Sequence, residues 1–525
     1  MSFKQIKILP ELIHQAALRT PEKVAFRSGR ESITYADFDI RINQLAGTLQ
    51  GLGVGKGDRV GICLNRCLDT VLAIYGIMRA GGVYVPLDPK APATRNQFSI
   101  KDCDISILVS NRTQRNYLPK LLVKTTPLKT IIGLENDWDV ETISWEVIFN
   151  SSSDFNLNFS LTENDLAYIM YTSGSTGTPK GMTHTHASGL NFARLTHQLY
   201  NFQSSDIFGN HAPIHFDISL LGIFTGPLVG ATTVIVPDAY TALPASLSQL
   251  IEKEQITVWY SVPLALVQMV QNGVLAERNW DAIRYVFFAG EPMPPKYLRV
   301  LMEQFPRAIY GNWYGPAETN VCTYYDVPAP PLTDEPLPIG LVLPTMDMLI
   351  LDEEDQEVVP GKTGELLIRS NTMMEGYWQK PALTKKGFYE SPDGSSQYYR
   401  TGDLVRLDEK DVLHFLGRRD HQIKVRGYRV ELGSVEAALV SLPEILEAAA
   451  FAVRDEEGVN TIEAAVILQA DVVIEEQEIT TILKTKLPHY FIPERVRILE
   501  DFPRTGSGKV QRGAIKGMFY KGRVI

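Results

Sequence analysis

Between residues 58 and 318, short apolar and β-branched runs alternate with stretches whose apolar positions recur at helical spacing. Residues 59–64 read as a strand and 68–80 as a helix, with further strands expected at 166–171, 232–236, 257–260 and 284–288. That rhythm predicts a mostly parallel sheet covered by helices. Residues 328–338 are proline-rich and read as a surface connection, after which 348–351, 364–368 and 412–415 read as strands of a more β-rich region. Past Gly417 the texture becomes the charged run GRRDHQIKVRGYRVELGSVE, with a helix from about Leu432 and a compact α+β pattern to the end. The expected fold class is α/β, with a large N-terminal domain over residues 1–419 that holds mostly parallel sheets and a β-rich subdomain. A small mobile α+β C-terminal domain is expected over 420–525, of a size that folds alone.

A chain of 525 residues is too long for one hydrophobic core, which agrees with the two-domain reading. With 44% hydrophobic and 21% charged residues the composition is globular rather than disordered. The formal charge of -10, from 61 acidic against 51 basic residues, excludes a broad nucleic-acid footprint. No stretch approaches the roughly 20 apolar residues of a membrane span, and residues 1–17 lack the form of a signal peptide, so no membrane partner and a cytoplasmic location are expected. The four cysteines, Cys63, Cys67, Cys103 and Cys322, form neither a disulfide framework nor paired CxxC ligands.

The most informative segment is YTSGSTGTPKG at 171–181, which follows the apolar strand at 166–170. Gly174, Gly177 and Gly181 permit tight turns, while Thr172, Ser173, Ser175, Thr176 and the backbone N–H groups can face phosphate oxygens, with Lys180 as a cation. Two similar segments fail on spacing. Gly361-Lys362-Thr363 has Gln356 where a P-loop needs its first glycine, and the glycines of 51–57 do not follow GxGxxG.

Taken in order, the motifs resemble those of the adenylate-forming superfamily, and specifically the amino-acid adenylation domains of nonribosomal peptide synthesis. They are ITYADF at 33–38, MRAGGVYVPLD at 78–88, the phosphate loop, FDIS at 216–219, NWYGPAE at 312–318, GEL at 364–366, YRTGDL at 399–404, GRRD at 417–420 with QIKVRG at 422–427, and GKV at 508–510. The resemblance spans nearly the whole chain. It implies a ligase that uses ATP and Mg²⁺ to turn an amino acid into its acyl-AMP, then loads the thiol of a phosphopantetheinylated carrier protein. Nothing in the sequence resembles a condensation or carrier domain, so the carrier is expected to be a separate protein.

The resemblance also implies roles position by position. Tyr314 would stack on adenine, Asn312 and the strip Gly290, Glu291, Pro292 would line the base, and Asp403 would bind the ribose hydroxyls with Arg418 nearby. Glu318 would be the magnesium ligand, in keeping with the ion's preference for one or two carboxylates plus phosphate oxygens. The residue before it is Ala317, where the family usually has a threonine that touches the α-phosphate. Lys509 would be the catalytic lysine bridging the acyl carboxylate and the forming adenylate, and Lys180 would assist at the phosphates. Asp420 would be the hinge between domain arrangements, and Gly427 would flank the channel of the incoming thiol.

Asp217 matches the position that pairs with the substrate α-ammonium in amino-acid-activating members, a carboxylate that acyl-CoA ligases generally lack. The other pocket positions correspond to Ile218, Leu221, Tyr260, Phe287, Ala289, Trp313, Val321 and Cys322, none of which carries a formal charge. A neutral, compact side chain is implied. The set resembles that of stand-alone prolyl-adenylating enzymes, including the anatoxin-pathway type, with Phe287 and Trp313 bulkier than its usual residues, and L-proline is the expected substrate. A D-alanine or other small-amino-acid carrier-protein ligase, an acyl-CoA synthetase and an inactive scaffold remain open as alternatives.

Overall fold

The computed structural model describes residues 6–157, 159–172, 179–419, 422–425, 427–454, 459–469, 472–504 and 510–520. The chain forms two compact units: Met1–Pro89, Ser99–Tyr171 and Gly181–Gly417 make the larger, and Lys90–Phe98, Thr172–Lys180 and Arg418–Ile525 the smaller.

Two long sheets organise the larger unit. In the nine-stranded sheet, strands Val24–Ser28, Thr232–Ile235, Ile207–Asn210, Val258–Ser261, Tyr285–Ala289 and Ile309–Tyr314 run parallel in that spatial order. Antiparallel strands close both edges, Glu31–Thr34 at one and Thr323–Asp326 with Leu341–Val342 at the other. Strands such as Thr232–Ile235, Val258–Ser261 and Tyr285–Ala289 are buried along their whole length. This is why they appear in the sequence as continuous apolar and β-branched runs rather than as alternation. The eight-stranded sheet carries Leu166–Thr172 and Lys180–Thr185 beside Val83–Pro86, Arg59–Ile62, Ile107–Val109, Thr130–Ile132 and Glu141–Ile143, with Gly376–Tyr377 at one edge. A five-stranded sheet of Asp347–Leu351, Thr363–Arg369, Gln397–Leu407, Phe388–Glu390 and Leu413–Arg418 forms the β-rich region.

Helix Leu68–Arg79 is apolar on nearly every face and is buried along most of its length. Helix Tyr35–Gly51 packs closely enough on it that a Cβ at Gly76 would lie 2.4 Å from a Leu45 methyl. Thr34 caps the latter helix, its hydroxyl accepting from the Asp37 N–H at 3.1 Å. Thr185 does the same for helix His186–Tyr200, accepting from the Ser188 N–H at 3.2 Å. That helix stops at Tyr200, where Asn201 turns into the left-handed region at φ 49°.

In the smaller unit, the hairpin Gln422–Val425 and Tyr428–Glu431 leads into helix Leu432–Val440. A three-stranded sheet of Ile445–Arg454, Asn460–Leu468 and Arg495–Ile498 follows, with helices Glu476–Lys486 and Arg512–Phe519. Most predicted strands and helices agree with these bounds to within a residue or two. Absent from the sequence reading was the pair Val24–Ser28 and Glu31–Thr34, which extends the nine-stranded sheet from a region N-terminal to the recognised alternation.

Candidate active site

Parallel sheets present their ligand crevice at the carboxyl ends of the strands. Here Tyr260, Ala289, Trp313 and Tyr314 all stand at or next to such ends, and register pairs Tyr260 with Phe287 and Ala289 with Trp313. Gly290, at φ 97°, turns the chain away from the sheet immediately after Ala289. Asp217 enters from the connection after strand Ile207–Asn210, in a short 3₁₀ turn over Asp217–Ser219 that runs into a π-helical turn at Leu221–Thr225. Its Oδ1 accepts from the N–H of Ile218 at 3.0 Å, and the carboxylate is half-buried. Burial first, and the Asp217 charge second, push the Tyr260 hydroxyl well above its ordinary pKa, and the same two causes raise Tyr168.

Tyr260, which feels the Asp217 charge, belongs to an aromatic floor. Phe287 and Trp313 stack at 4.3 Å between centroids, 23° from parallel, and Tyr260 meets Trp313 edge-on at 4.9 Å. Both rings reach across Gly311, where an added Cβ would lie 2.7 Å from Phe287 and 3.1 Å from the Trp313 indole nitrogen. Ile218, Ala289 and Val321 are buried with a little residual surface, while Leu221 is all but covered and Phe287 and Cys322 are covered completely. The last two therefore back the lining rather than form its surface.

A second group is polar. Tyr314 donates to the carboxylate of Asp403, and burial together with that charge holds the phenol well above its ordinary pKa. Asp403 is aimed by a local irregularity: Glu365 pairs with Leu404 but Leu367 with Arg400, so residues 401–403 bulge out of the ladder, with Gly402 at φ 72°. The buried Glu365 anchors the bulge, accepting from the Gly402 N–H at 3.1 Å and from Arg400 at 3.0 Å. Asn312 is buried and donates to the Pro338 carbonyl at 2.8 Å, Glu291 is partly buried and Pro292 is exposed. Glu318 is fully buried, and its Oε1 accepts from the Tyr377 hydroxyl at 2.7 Å, which in turn lies 3.2 Å from the Tyr399 hydroxyl.

Beside Ala317, where a hydroxyl is missing, stands the ring of His184. It is hydrogen-bonded to the Ala317 backbone, and burial lowers its pKa to about 4 against the opposing pull of Glu318. It stacks on Tyr168 at 4.8 Å and 12° and lies 3.4 Å from the Ser188 hydroxyl.

Of the phosphate loop, Thr172 closes strand Leu166–Thr172 and buried Lys180 opens strand Lys180–Thr185. Gly181 has a structural reason as well, since a Cβ there would sit 2.8 Å from Ile169. Ser173, Gly174, Ser175, Thr176 and Gly177 lie outside the described residues, as do Asp420 and Lys509. In the smaller unit Arg418 closes strand Leu413–Arg418, and Gly427, at φ 81°, lies in the turn of its hairpin. The sequence reading passed over Tyr200, His184 and Tyr377. Tyr377 sits in the EGYW run and His184 four positions after Lys180, but nothing in their local pattern separates them from core residues.

A family model described as AMP-binding enzyme matches residues 13–378, and one described as AMP-binding enzyme C-terminal domain matches 434–509. An L-proline--[L-prolyl-carrier protein] ligase of Pseudomonas fluorescens is 34% identical over 512 residues, 97% of this chain and 99% of that one. A dimodular nonribosomal peptide synthase of Bacillus subtilis is 32% identical over 97% of this chain, which spans only 21% of that protein. The amide bond synthetase McbA from Marinactinospora thermotolerans shares the fold with a TM-score of 0.86 at 22% identity, over 98% of this chain and 99% of that one. The Vibrio cholerae adenylation domain AlmE, solved in complex with glycyl-adenosine-5′-phosphate, does so with a TM-score of 0.83 at 24% identity, over 97% of each chain. Among the described residues, no helix is long and apolar enough to cross a membrane.

Proposed function

Because this chain belongs to the AMP-binding enzyme family, we propose that it activates L-proline with ATP as prolyl-AMP, releasing pyrophosphate, and transfers the prolyl group to the phosphopantetheine thiol of a carrier protein. The observation that carries the reading is the match to an L-prolyl-carrier protein ligase over essentially the full length of both chains. The uncharged, closely packed aromatic floor suits a compact apolar side chain.

In the first step a carboxylate oxygen of the amino acid bonds to the α-phosphorus of ATP, the α–β anhydride breaks, and pyrophosphate leaves. No protein nucleophile is required, so positioning and charge stabilisation are the whole task. Asp217 pairs with the α-ammonium, Tyr314 and Asn312 flank the base with Gly290, Glu291 and Pro292, and Asp403 takes the ribose hydroxyls with Arg418. The loop from Thr172 to Lys180 grips the phosphates, and Lys509 bridges the reacting oxygens. In the second step the thiol sulfur attacks the acyl carbon, AMP leaves with the bonding pair, and the thiol proton passes to solvent. The assignment of residues 1–419 as the binding core and 420–525 as a lid carrying Lys509, hinged at Asp420 with Gly427 beside the thiol path, is part of the same proposal.

Among the described residues no group of three or more His, Cys, Asp or Glu could hold a metal alone. Buried Glu318, with its carboxylate steadied by Tyr377, is a single hard oxygen donor, which suits Mg²⁺ that keeps phosphate and water ligands. When bound, the ion neutralises charge on the phosphate oxygens.

The test is amino-acid-dependent exchange of labelled pyrophosphate into ATP across the proteinogenic amino acids and D-alanine. A dominant L-proline signal is expected. A dominant D-alanine signal would replace the substrate, and silence with every amino acid would sink the reading.

A further inference from the structure

The aromatic floor is held from behind by a polar relay. Tyr200, the last residue of helix His186–Tyr200, is buried, and its ring lies 4.6 Å from Phe287 and 5.6 Å from Trp313. The Trp313 indole N–H donates to the Tyr200 hydroxyl at 3.0 Å, and that hydroxyl donates to Asp326 Oδ1 at 2.7 Å. An indole nitrogen can only donate, so the Tyr200 oxygen must accept from it and send its own proton to the carboxylate. The direction of the whole relay is thereby fixed.

Sheet register explains how the three groups meet. Asp326 stands opposite Gly311 on the neighbouring antiparallel strand, and Gly311 is the position over which Phe287 and the indole lie. Asn201 ends the helix in the left-handed region directly after Tyr200, and the Tyr285 hydroxyl donates to the Tyr200 carbonyl at 2.8 Å, so the residue is held at its main chain as well as at its hydroxyl.

We propose that Tyr200 is a positioning residue that sets amino-acid specificity: oriented by Asp326, it holds the Trp313 indole in the rotamer that keeps the pocket compact. This deepens the proposed prolyl-activating function and rests on it. A buried N–H left without an acceptor is costly, so the indole is released to other rotamers once the hydroxyl is gone. Depth in the pocket then varies, and the penalty against a longer apolar side chain shrinks.

Tyr200→Phe keeps the ring and deletes the hydroxyl. Its preference for L-proline over L-leucine in pyrophosphate exchange is expected to fall about tenfold, through the amino-acid KM, with the ATP KM unchanged. In a Trp313→Leu background the same change is expected to leave the preference where it stands, because the group being positioned is absent. Unaltered selectivity in Tyr200→Phe, or an equal effect with and without Trp313, overturns the proposal. Should Tyr200→Phe not fold by circular dichroism, Asp326→Ala at the exposed end of the relay is expected to shift the same ratio about threefold, and no shift there overturns it. Lack of exchange in the unmodified protein sinks the functional reading instead, which separates the two failures.

Discussion

The side of the site proposed for the amino acid and the side proposed for the nucleotide are built on different physics. The first is a stack of rings on a buried sheet, Phe287 on Trp313 with Tyr260 at the edge, for which Asp217 is proposed as the carboxylate that meets the substrate. The second is a set of hydroxyl–carboxylate pairs, Tyr314 with Asp403 and Tyr377 with Glu318, placed by a bulge and by a short edge strand. Rings define volume, and so select a side chain. Paired carboxylates define charge and direction, which every substrate of one reaction needs alike. Substitutions on the two sides should therefore fail in different ways.

The largest effect is expected from Asp217→Asn. Losing a charge-assisted pair with an ammonium is worth about 1.5–3 kcal/mol, so kcat/KM for the amino acid should drop on the order of a hundredfold. Because the change lies on the ring side, the KM for ATP should stay within about twofold in the same initial-rate measurements of pyrophosphate release. A comparable loss for both substrates would mean that Asp217 serves the turn at Ile218 rather than the ammonium.

Tyr377→Phe tests the other side. It removes one hydrogen bond to the buried Glu318 carboxylate, and a roughly tenfold lower kcat is expected. The loss should be the same for every amino acid that the enzyme accepts, leaving their ranking untouched. A changed ranking with unchanged kcat would erase the proposed division between the two sides.

The two sides were also unequally legible in the sequence. The strands carrying Tyr260 and Phe287 announce themselves as apolar runs, whereas the Trp313 strand, IYGNWY at 309–314, was not among the expected strands; the ordered motifs pick out Asp217, Glu318, Tyr314 and Asp403 with no structure at all. What periodicity could not give is long-range pairing. Tyr200 is 113 positions from Trp313 and Tyr377 is 59 from Glu318, and each reads locally as one more buried aromatic. The bulge that aims Asp403 is invisible for a related reason, since it depends on register with a strand more than thirty positions earlier. The departure at Ala317 was plain in the sequence, but the neutral imidazole beside it comes from the distant strand Lys180–Thr185 and became apparent only in three dimensions.

That imidazole yields the smallest effect, on stability rather than rate. Burial lowers the pKa of His184 and His186 to about 4 and that of His211 to about 3, each from 6.5. His186 Nδ1 accepts from the Leu9 N–H at 3.3 Å, which requires that nitrogen to be unprotonated. The folded state thus refuses protons that the unfolded chain takes up below pH 6.5, so stability present above that pH is lost as pH falls toward 4. Between pH 7.5 and 5.5 each ring should contribute a loss of roughly 1 kcal/mol in urea unfolding. Replacing His184 with Gln should flatten that slope by about one ring's share, whereas Trp313→Leu leaves His184 and its share in place. Equal slopes for the His184→Gln variant and the unmodified protein would show that His184 does not carry its share of the acid sensitivity.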